Sequence, residues 1–374
     1  MLATGLYSGL KHSCSIQVES CDRLRPRLRG FGFGRAMRGV FGGLRTRTAL
    51  RCFLQSDLGR IRSCLSRQAV RRARSSPAAN VSETVTLNSQ QILSGEKKGK
   101  QTVLAGELLI PAGAGRLPAV ILVHGSDGIN SAVERWAQEL NQIGVAAFLL
   151  DCFSGRGITS TVGDQSQLHN LNMIVDAYKA LEILTKHPRL DVNRIAIMGF
   201  SKGAFAAVFT SNERFRKLYG PANGSHFAAH IGLYTPCNVT YRDDDKTTGA
   251  PIRLFHGIAD DWVAIGPCRA YADRLRTAGI DITLTEYPGA QHGYDFFFLG
   301  TEPVTYSDAT TTRKCRAEEG EHGLIMNSET AKPYDVNQDA CVERSPHLGY
   351  NEAATAATTK AIKGFLTTQF KLKH

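Results

Sequence analysis

A chain of 374 residues with 42% hydrophobic side chains can hold one large α/β domain or two ordinary ones. Its formal charge of +11 is local, because residues 1–75 carry fifteen Arg and Lys11 against Glu19, Asp22 and Asp57, a net of +13, and the remainder nets −2. A near-neutral remainder gives no electrostatic reason to expect a nucleic-acid partner for a domain built there.

The Arg-rich beginning is broken into short apolar pieces. None reaches the roughly seven residues of a signal-peptide core, and nothing approaches a membrane span. Arg71-Arg72 is followed by polar residues where a twin-Arg signal needs an apolar run. An organelle transit segment, a disordered basic arm and translated sequence upstream of the true start all fit this composition. Residues 1–80 are therefore set apart, and residues 81–374 are expected to form the folded domain.

Residues 77–89 read as a linker, and an alternation of strands and helices begins after them. Strands are predicted at 102–110, 119–123, 145–150, 194–198, 228–234, 252–255 and 282–287. Helical spacing covers 131–143, 168–185, 202–209, 267–277 and 353–370. Strands separated by helices of this length pair in parallel, which predicts a doubly wound, mostly parallel sheet with helices on both faces. Chemistry in such sheets sits beyond the C-terminal ends of the strands. Residues 301–346 show no periodicity and are long for a loop, so they read as a flap or as a segment pinned by a disulfide.

One of those strand ends reads Gly199-Phe200-Ser201-Lys202-Gly203. A G-x-S-x-G is weak alone, but here an apolar strand enters it and a helix of small residues leaves it. That is the context of a nucleophile elbow, in which a serine on a sharp turn projects above the sheet of an α/β-hydrolase fold. A serine hydroxyl needs a base, and the base needs an orienting acid. In this fold their chain order is serine, acid, histidine. Asp260, at the tip of the turn after residues 252–255, is chosen over Asp261 as the acid. His292, in the loop after the last strand, is the base. The oxyanion of a tetrahedral intermediate needs backbone donors, for which the N–H groups of Lys202 and Ser126 are the candidates. The side chain of His124 reads as structural.

Nine cysteines show neither CxxC nor Cys/His ligand spacing, so no zinc site and no metal is expected. Disulfides Cys237–Cys268 and Cys315–Cys341 would imply a periplasmic or secreted protein, and free thiols a cytoplasmic one.

Taken together, Val123-His-Gly-Ser-Asp-Gly-Ile-Asn130, Asp151-Cys-Phe-Ser-Gly-Arg156, the elbow, His256-Gly-Ile-Ala-Asp-Asp-Trp262 and Tyr287-Pro-Gly-Ala-Gln-His292 resemble the dienelactone hydrolase family of α/β-hydrolases. The resemblance runs from about Val103 to the C-terminus. It implies a cofactor-free hydrolase of small-molecule esters without a large lid domain, and the short Ser201–Asp260 interval leaves little room for one. Two departures stand out. The family's namesakes use cysteine at the elbow, and they carry an acidic residue where this chain has Gly125. Their substrate carboxylate is held partly by an arginine shortly after the histidine, where this chain reads Gly-Tyr-Asp-Phe-Phe-Phe298. By the resemblance Arg156 preserves the other basic substrate contact. An ester with an apolar or aromatic portion is therefore expected, with Phe296 to Phe298 either contacting it or packing under the C-terminal segment. A peptidase or thioesterase of the same fold, and a non-catalytic binding protein on it, are the alternatives. The sequence sets neither the natural substrate nor the oligomeric state.

Overall fold

Leu117–Val123 contains no polar side chain, and a strand of that kind has to be covered on both faces. In the computed structural model, which describes residues 80–93 and 97–373, it lies at the centre of an eight-stranded sheet. The readings of residues 1–75 lie outside the described residues.

In chain order the sheet strands are β1 (Val81–Leu93), β2 (Lys97–Ile110), β3 (Leu117–Val123), β4 (Ala146–Asp151), β5 (Leu190–Phe200) and β6 (His230–Leu233). A two-residue strand, β7 (Val239–Thr240), stands outside it, and β8 (Ile252–Gly257) and β9 (Ile282–Tyr287) complete it. Their spatial order is β1-β2-β4-β3-β5-β6-β8-β9. The pairs β1–β2 and β2–β4 are antiparallel, and every pair from β4 to β9 is parallel. The mostly parallel sheet read from the sequence is the one observed.

The helices are α1 (Ser131–Gln142), α2 (Asn170–Leu184), α3 (Lys202–Phe209), α4 (Glu213–Tyr219), α5 (Ile265–Thr277) and α6 (Glu352–Gln369). Alternate residues of β3 feed two separate cores, as the period-two geometry of a strand requires. Ala119, Ile121 and Val123 pack with side chains of α2, α3 and α5, whereas Val120 and Leu122 pack with those of α1 and α6. Asn130 caps α1, its side-chain oxygen accepting the N–H groups of Ala132 and Val133, so the loop after β3 turns directly into a helix.

One expectation about the elements fails. Within the linker predicted at 77–89, residues 77–79 lie outside the described residues, and residues 81–89 belong to the edge strand β1, paired along β2 from Val81↔Ile110 onward. Its sequence is mostly polar because it lies at the margin of the sheet, and only Leu87 and Ser89 of its described side chains are buried. The aperiodic 301–346 segment contains β10 (Val304–Thr305), β11 (Thr310–Thr311), β12 (Ala317–Glu319), β13 (Ile325–Asn327) and β14 (Glu343–Arg344), with β15 (His347–Leu348) just after it. A Cys315–Cys341 disulfide ties this strap together, and a Cys237–Cys268 disulfide joins the chain after β6 to α5.

Arg156 is the second departure. Its guanidinium makes a bidentate pair with Asp176 of α2, Nη1 to Oδ2 and Nη2 to Oδ1, both 2.8 Å, and Nη1 also donates to the Cys152 carbonyl at 2.6 Å. Asp176 is fully buried and also accepts the Ser89 hydroxyl, so one carboxylate joins β1, α2 and the turn after β4. The positive charge expected at the substrate is neutralised inside the fold. Arg156→Ala would strand a buried carboxylate, and its urea unfolding should show a loss of about 3–5 kcal/mol, most of it recovered in an Arg156→Met/Asp176→Leu double variant.

Candidate active site

Ser201 joins β5 to α3 with φ 50° and ψ −119°, a conformation that an L side chain adopts only under constraint. The constraint is close packing. A Cβ on Gly199 would run into the Gly203 carbonyl oxygen, and one on Gly203 would run into the carbonyl oxygens of Val123 and His124. Glycine at both positions lets the turn close against β3. The Ser201 N–H donates to the Leu233 carbonyl at 3.1 Å, which ties the turn to β6 as well.

The chain after β8 and the chain after β9 deliver the other two groups, and these loops are also pressed together. A Cβ on Gly257 would collide with the Ala290 carbonyl, whose oxygen accepts the Ala259 N–H at 3.1 Å. In consequence three side chains meet. The Ser201 hydroxyl donates to His292 Nε2 at 2.9 Å, and His292 Nδ1–H donates to Asp260 Oδ2 at 2.8 Å. The other oxygen of Asp260 accepts the N–H groups of Trp262 at 3.0 Å and Val263 at 2.8 Å, which aims Oδ2 at the imidazole.

Burial alone would raise the Asp260 carboxyl, but His292 and His256 outweigh it and hold the group well below the usual carboxylate range. Sequence reading missed His256. Its Nε2–H donates to the Val263 carbonyl at 2.8 Å and lies 3.3 Å from Asp260 Oδ2. Asp261 is used elsewhere. It accepts the His347 N–H at 2.9 Å and Nδ1–H at 2.7 Å, and it pairs with Arg313 at 3.1 Å, anchoring the strap beside the site.

His124 is buried with both ring nitrogens committed to the backbone: Nδ1–H donates to the Gly125 carbonyl at 2.8 Å, and Nε2 accepts the Cys152 N–H at 3.1 Å. Burial pushes its ring toward the neutral form that these two bonds require. It thereby shapes the loop that carries Ser126. The Ser126 carbonyl accepts the Thr161 N–H at 2.7 Å, and a Cβ on neighbouring Gly125 would lie 3.6 Å from that of Ser201. An acidic side chain at this point would lie against Ser201.

A cavity of about 530 Å³ lies over Ser201. Its lining includes Ser126, Gln165, Lys202, Trp262, Tyr334 and Val336. Lys202 is buried, and its Nζ donates to the backbone carbonyl and the side-chain oxygen of Gln165 at 3.2 and 3.1 Å. The expected contact Arg156 is absent from the lining, and so are Phe296 to Phe298. Arg156 is held by Asp176 as described, and Phe296 packs with Ala132 and Leu348 while Phe297 and Phe298 are exposed. Of the three only Phe296 serves packing, and the aromatic side chains that line the cavity with Ser201 are Tyr241, Trp262 and Tyr334.

Comparison with known proteins agrees with this architecture. Residues 104–319 match the model of the dienelactone hydrolase family. A curated relative from Bradyrhizobium sp, named "Probable 2-oxo-3-(5-oxofuran-2-ylidene)propanoate lactonase", is 26% identical over half of this chain and 77% of its own length. The dipeptidyl peptidase family member 1 of Caenorhabditis elegans is 27% identical over 36% of this chain, which spans 18% of that relative. Among solved structures, a dienelactone hydrolase-like promiscuous phosphotriesterase from metagenomic libraries is similar at 17% identity and a TM-score of 0.47, over 77% of this chain and 98% of its own. The Est2 esterase of Thermogutta terrifontis is similar at 18% identity and a TM-score of 0.40, over 51% of this chain and 79% of its own. With more than half of its length matched by the family model, the chain belongs to the dienelactone hydrolase family and is a hydrolase of ester bonds.

Proposed function

We propose that the protein is a serine esterase that cleaves small carboxylic esters through an acyl-enzyme. The observation that carries this reading is His292 bonded to Ser201 through one nitrogen and to Asp260 through the other. With Nδ1–H committed to the carboxylate, Nε2 presents a lone pair to the serine hydroxyl. As Ser201 Oγ attacks the ester carbonyl carbon, its proton passes to His292 Nε2, and Asp260 stabilises the imidazolium. The N–H groups of Lys202 and Ser126 are assigned to the developing oxyanion. Collapse of the tetrahedral species breaks the bond to the alcohol, which leaves with the imidazolium proton. Water then attacks the acyl-enzyme, gives its proton to His292, and releases the acid as Ser201 is reprotonated.

Turnover of p-nitrophenyl esters by wild type should fall on the order of a million-fold in Ser201→Ala. A fluorophosphonate should add its mass to wild type alone. Equal turnover in both proteins would remove Ser201 from the mechanism. Turnover of amides or thioesters in preference to these esters would favour a peptidase or a thioesterase.

Lys202 adds an electrostatic consequence. Burial pushes its amine down to about 7, and its hydrogen bonds go to neutral acceptors. The unfolded side chain titrates near 10.4. Between these values the unfolded chain binds more protons than the folded one, so this group makes stability rise with pH. Below pH 7 its full cost is present, on the order of a few kcal/mol. Lys202→Met should therefore be more stable than wild type at pH 6 in urea unfolding, and the difference should close as the pH approaches 10. A gap independent of pH would show that the amine is not suppressed.

The two disulfides suit an oxidising compartment, which we infer to be periplasmic or extracellular. Alkylation of the folded, unreduced protein should then leave Cys237, Cys268, Cys315 and Cys341 unmodified, and labelling of all four would remove that inference.

A further inference from the structure

Behind the imidazole of His292 lies a second buried carboxylate. Asp295 is 2% exposed, and each of its oxygens accepts one hydrogen bond from a distant part of the chain. Trp136 Nε1–H of α1 donates to Oδ2 at 2.7 Å, and the hydroxyl of Tyr234 donates to Oδ1 at 2.9 Å. Two donors on two oxygens is the arrangement a carboxylate takes.

Tyr234 connects this carboxylate to the site. It follows β6 directly, is buried, and holds φ 41°, one of the few positive values at a residue other than glycine. A buried tyrosine remains in that conformation only when its surroundings over-determine it. Its N–H donates to the Phe255 carbonyl at 2.8 Å, and the residue before it accepts the Ser201 N–H. Its ring meets the His292 ring edge-on with centroids 4.7 Å apart, while the Trp262 ring lies 5.3 Å from the imidazole and tilted to it. The imidazole thus has an aromatic ring on each of two sides, and Asp295 holds the hydroxyl of one of them.

We propose that Asp295 is a positioning residue for the base: through Tyr234 it fixes the His292 ring, and as a nearby negative charge it stabilises the imidazolium formed when Ser201 gives up its proton. The inference rests on the reading of His292 as the base. Burial raises the Asp295 carboxyl, with the bonds from Trp136 and Tyr234 and the proximity of His292 opposing that rise. The other groups facing this assembly are Asp260 and His256 from the β8 side, Tyr294 beside Asp295, and Asp127 in the loop after β3. All of these are unchanged by substitution at 295.

Asp295→Asn keeps the shape and removes the charge. Its kcat on a p-nitrophenyl ester is expected to fall about ten- to a hundredfold, as misplacement of a reacting group does, with KM changed less than about twofold. The acid limb of its kcat/KM profile should move to lower pH, because a base without the neighbouring charge is protonated less readily. Tyr234→Phe and Trp136→Phe each remove one bond and should lower kcat by smaller factors at constant KM, which keeps the proposal testable if Asp295→Asn folds poorly. A purely structural Asp295 would lower the melting temperature and leave kcat and the acid limb where they are in wild type, and that result would overturn the proposal.

Ser201→Ala measured alongside separates the two levels. Ester turnover that survives in Ser201→Ala removes the proposed function itself, whereas turnover that needs Ser201 but ignores Asp295 removes only the present inference. Titration of the His292 imidazole by NMR in wild type and Asp295→Asn gives a readout that needs no substrate. A midpoint moved to lower pH in the variant supports the proposal, and an unmoved one overturns it.

Discussion

The site depends on how closely one turn can approach one strand. Ser201 stands at φ 50° because Gly199 lets the β5–α3 turn fold tightly on itself and Gly203 lets it close on the carbonyl groups at the end of β3. A single methyl at either glycine would push the turn away. The serine would then leave the loop carrying Ser126 and the reach of His292 together. Strain of this kind is held by its surroundings, and here they are the centre of the sheet, where β3 and β5 are buried on both faces. The parallel sheet then supplies the rest. The chains after β3, β5, β6, β8 and β9 all emerge at the same edge, so Ser126, Ser201, Tyr234, Asp260 and His292 come together although they span much of the sequence.

What was legible in the sequence follows the same physics. Strands buried on both faces are short apolar runs, and residues 119–123 and 145–150 declare themselves without reference to any partner. The elbow is legible because steric demands fix its glycines. β1 escaped because an edge strand has little to bury, and its polar composition resembles a linker. The strap was legible as a segment pinned by its disulfide, but its two- and three-residue strands were not, because that disulfide and bonds from Arg313 and His347 to Asp261 hold it in place of periodic burial. Arg156 was misplaced for a related reason. Nothing in its neighbourhood announces that Asp176, on a helix not yet begun, will take its charge. Tyr234, Asp295 and Trp136 are the extreme case, since their contacts join residues 61 and 159 positions apart.

These long-range contacts give the site an inner and an outer layer with different physical origins. Around Asp260 the bonds are short-range and largely backbone, from Trp262, Val263 and the neighbouring His256, so that carboxylate is oriented by its own loop. Around Asp295 the donors come from α1 and from the end of β6, so that carboxylate reports how those elements are packed. A disturbance of α1 would reach the imidazole through Asp295 and Tyr234 while leaving the Asp260 loop intact.

The outer wall of the cavity obeys a third logic. Leu324, Ile325, Pro333, Tyr334 and Val336 all line it, and all lie beyond residue 319, where the match to the family ends. The elbow, Asp260 and His292 lie inside the match, whereas these five lining residues lie outside it. Family membership therefore speaks to the bond that is cleaved far more than to the molecule that carries it. The strap is fastened at Asp261, one residue from Asp260, and its far end returns to the base, where the Gly349 N–H donates to the His292 carbonyl at 3.2 Å. This wall is thus built onto the same two loops that hold Asp260 and His292, so a change in its packing would be felt as a change in their alignment.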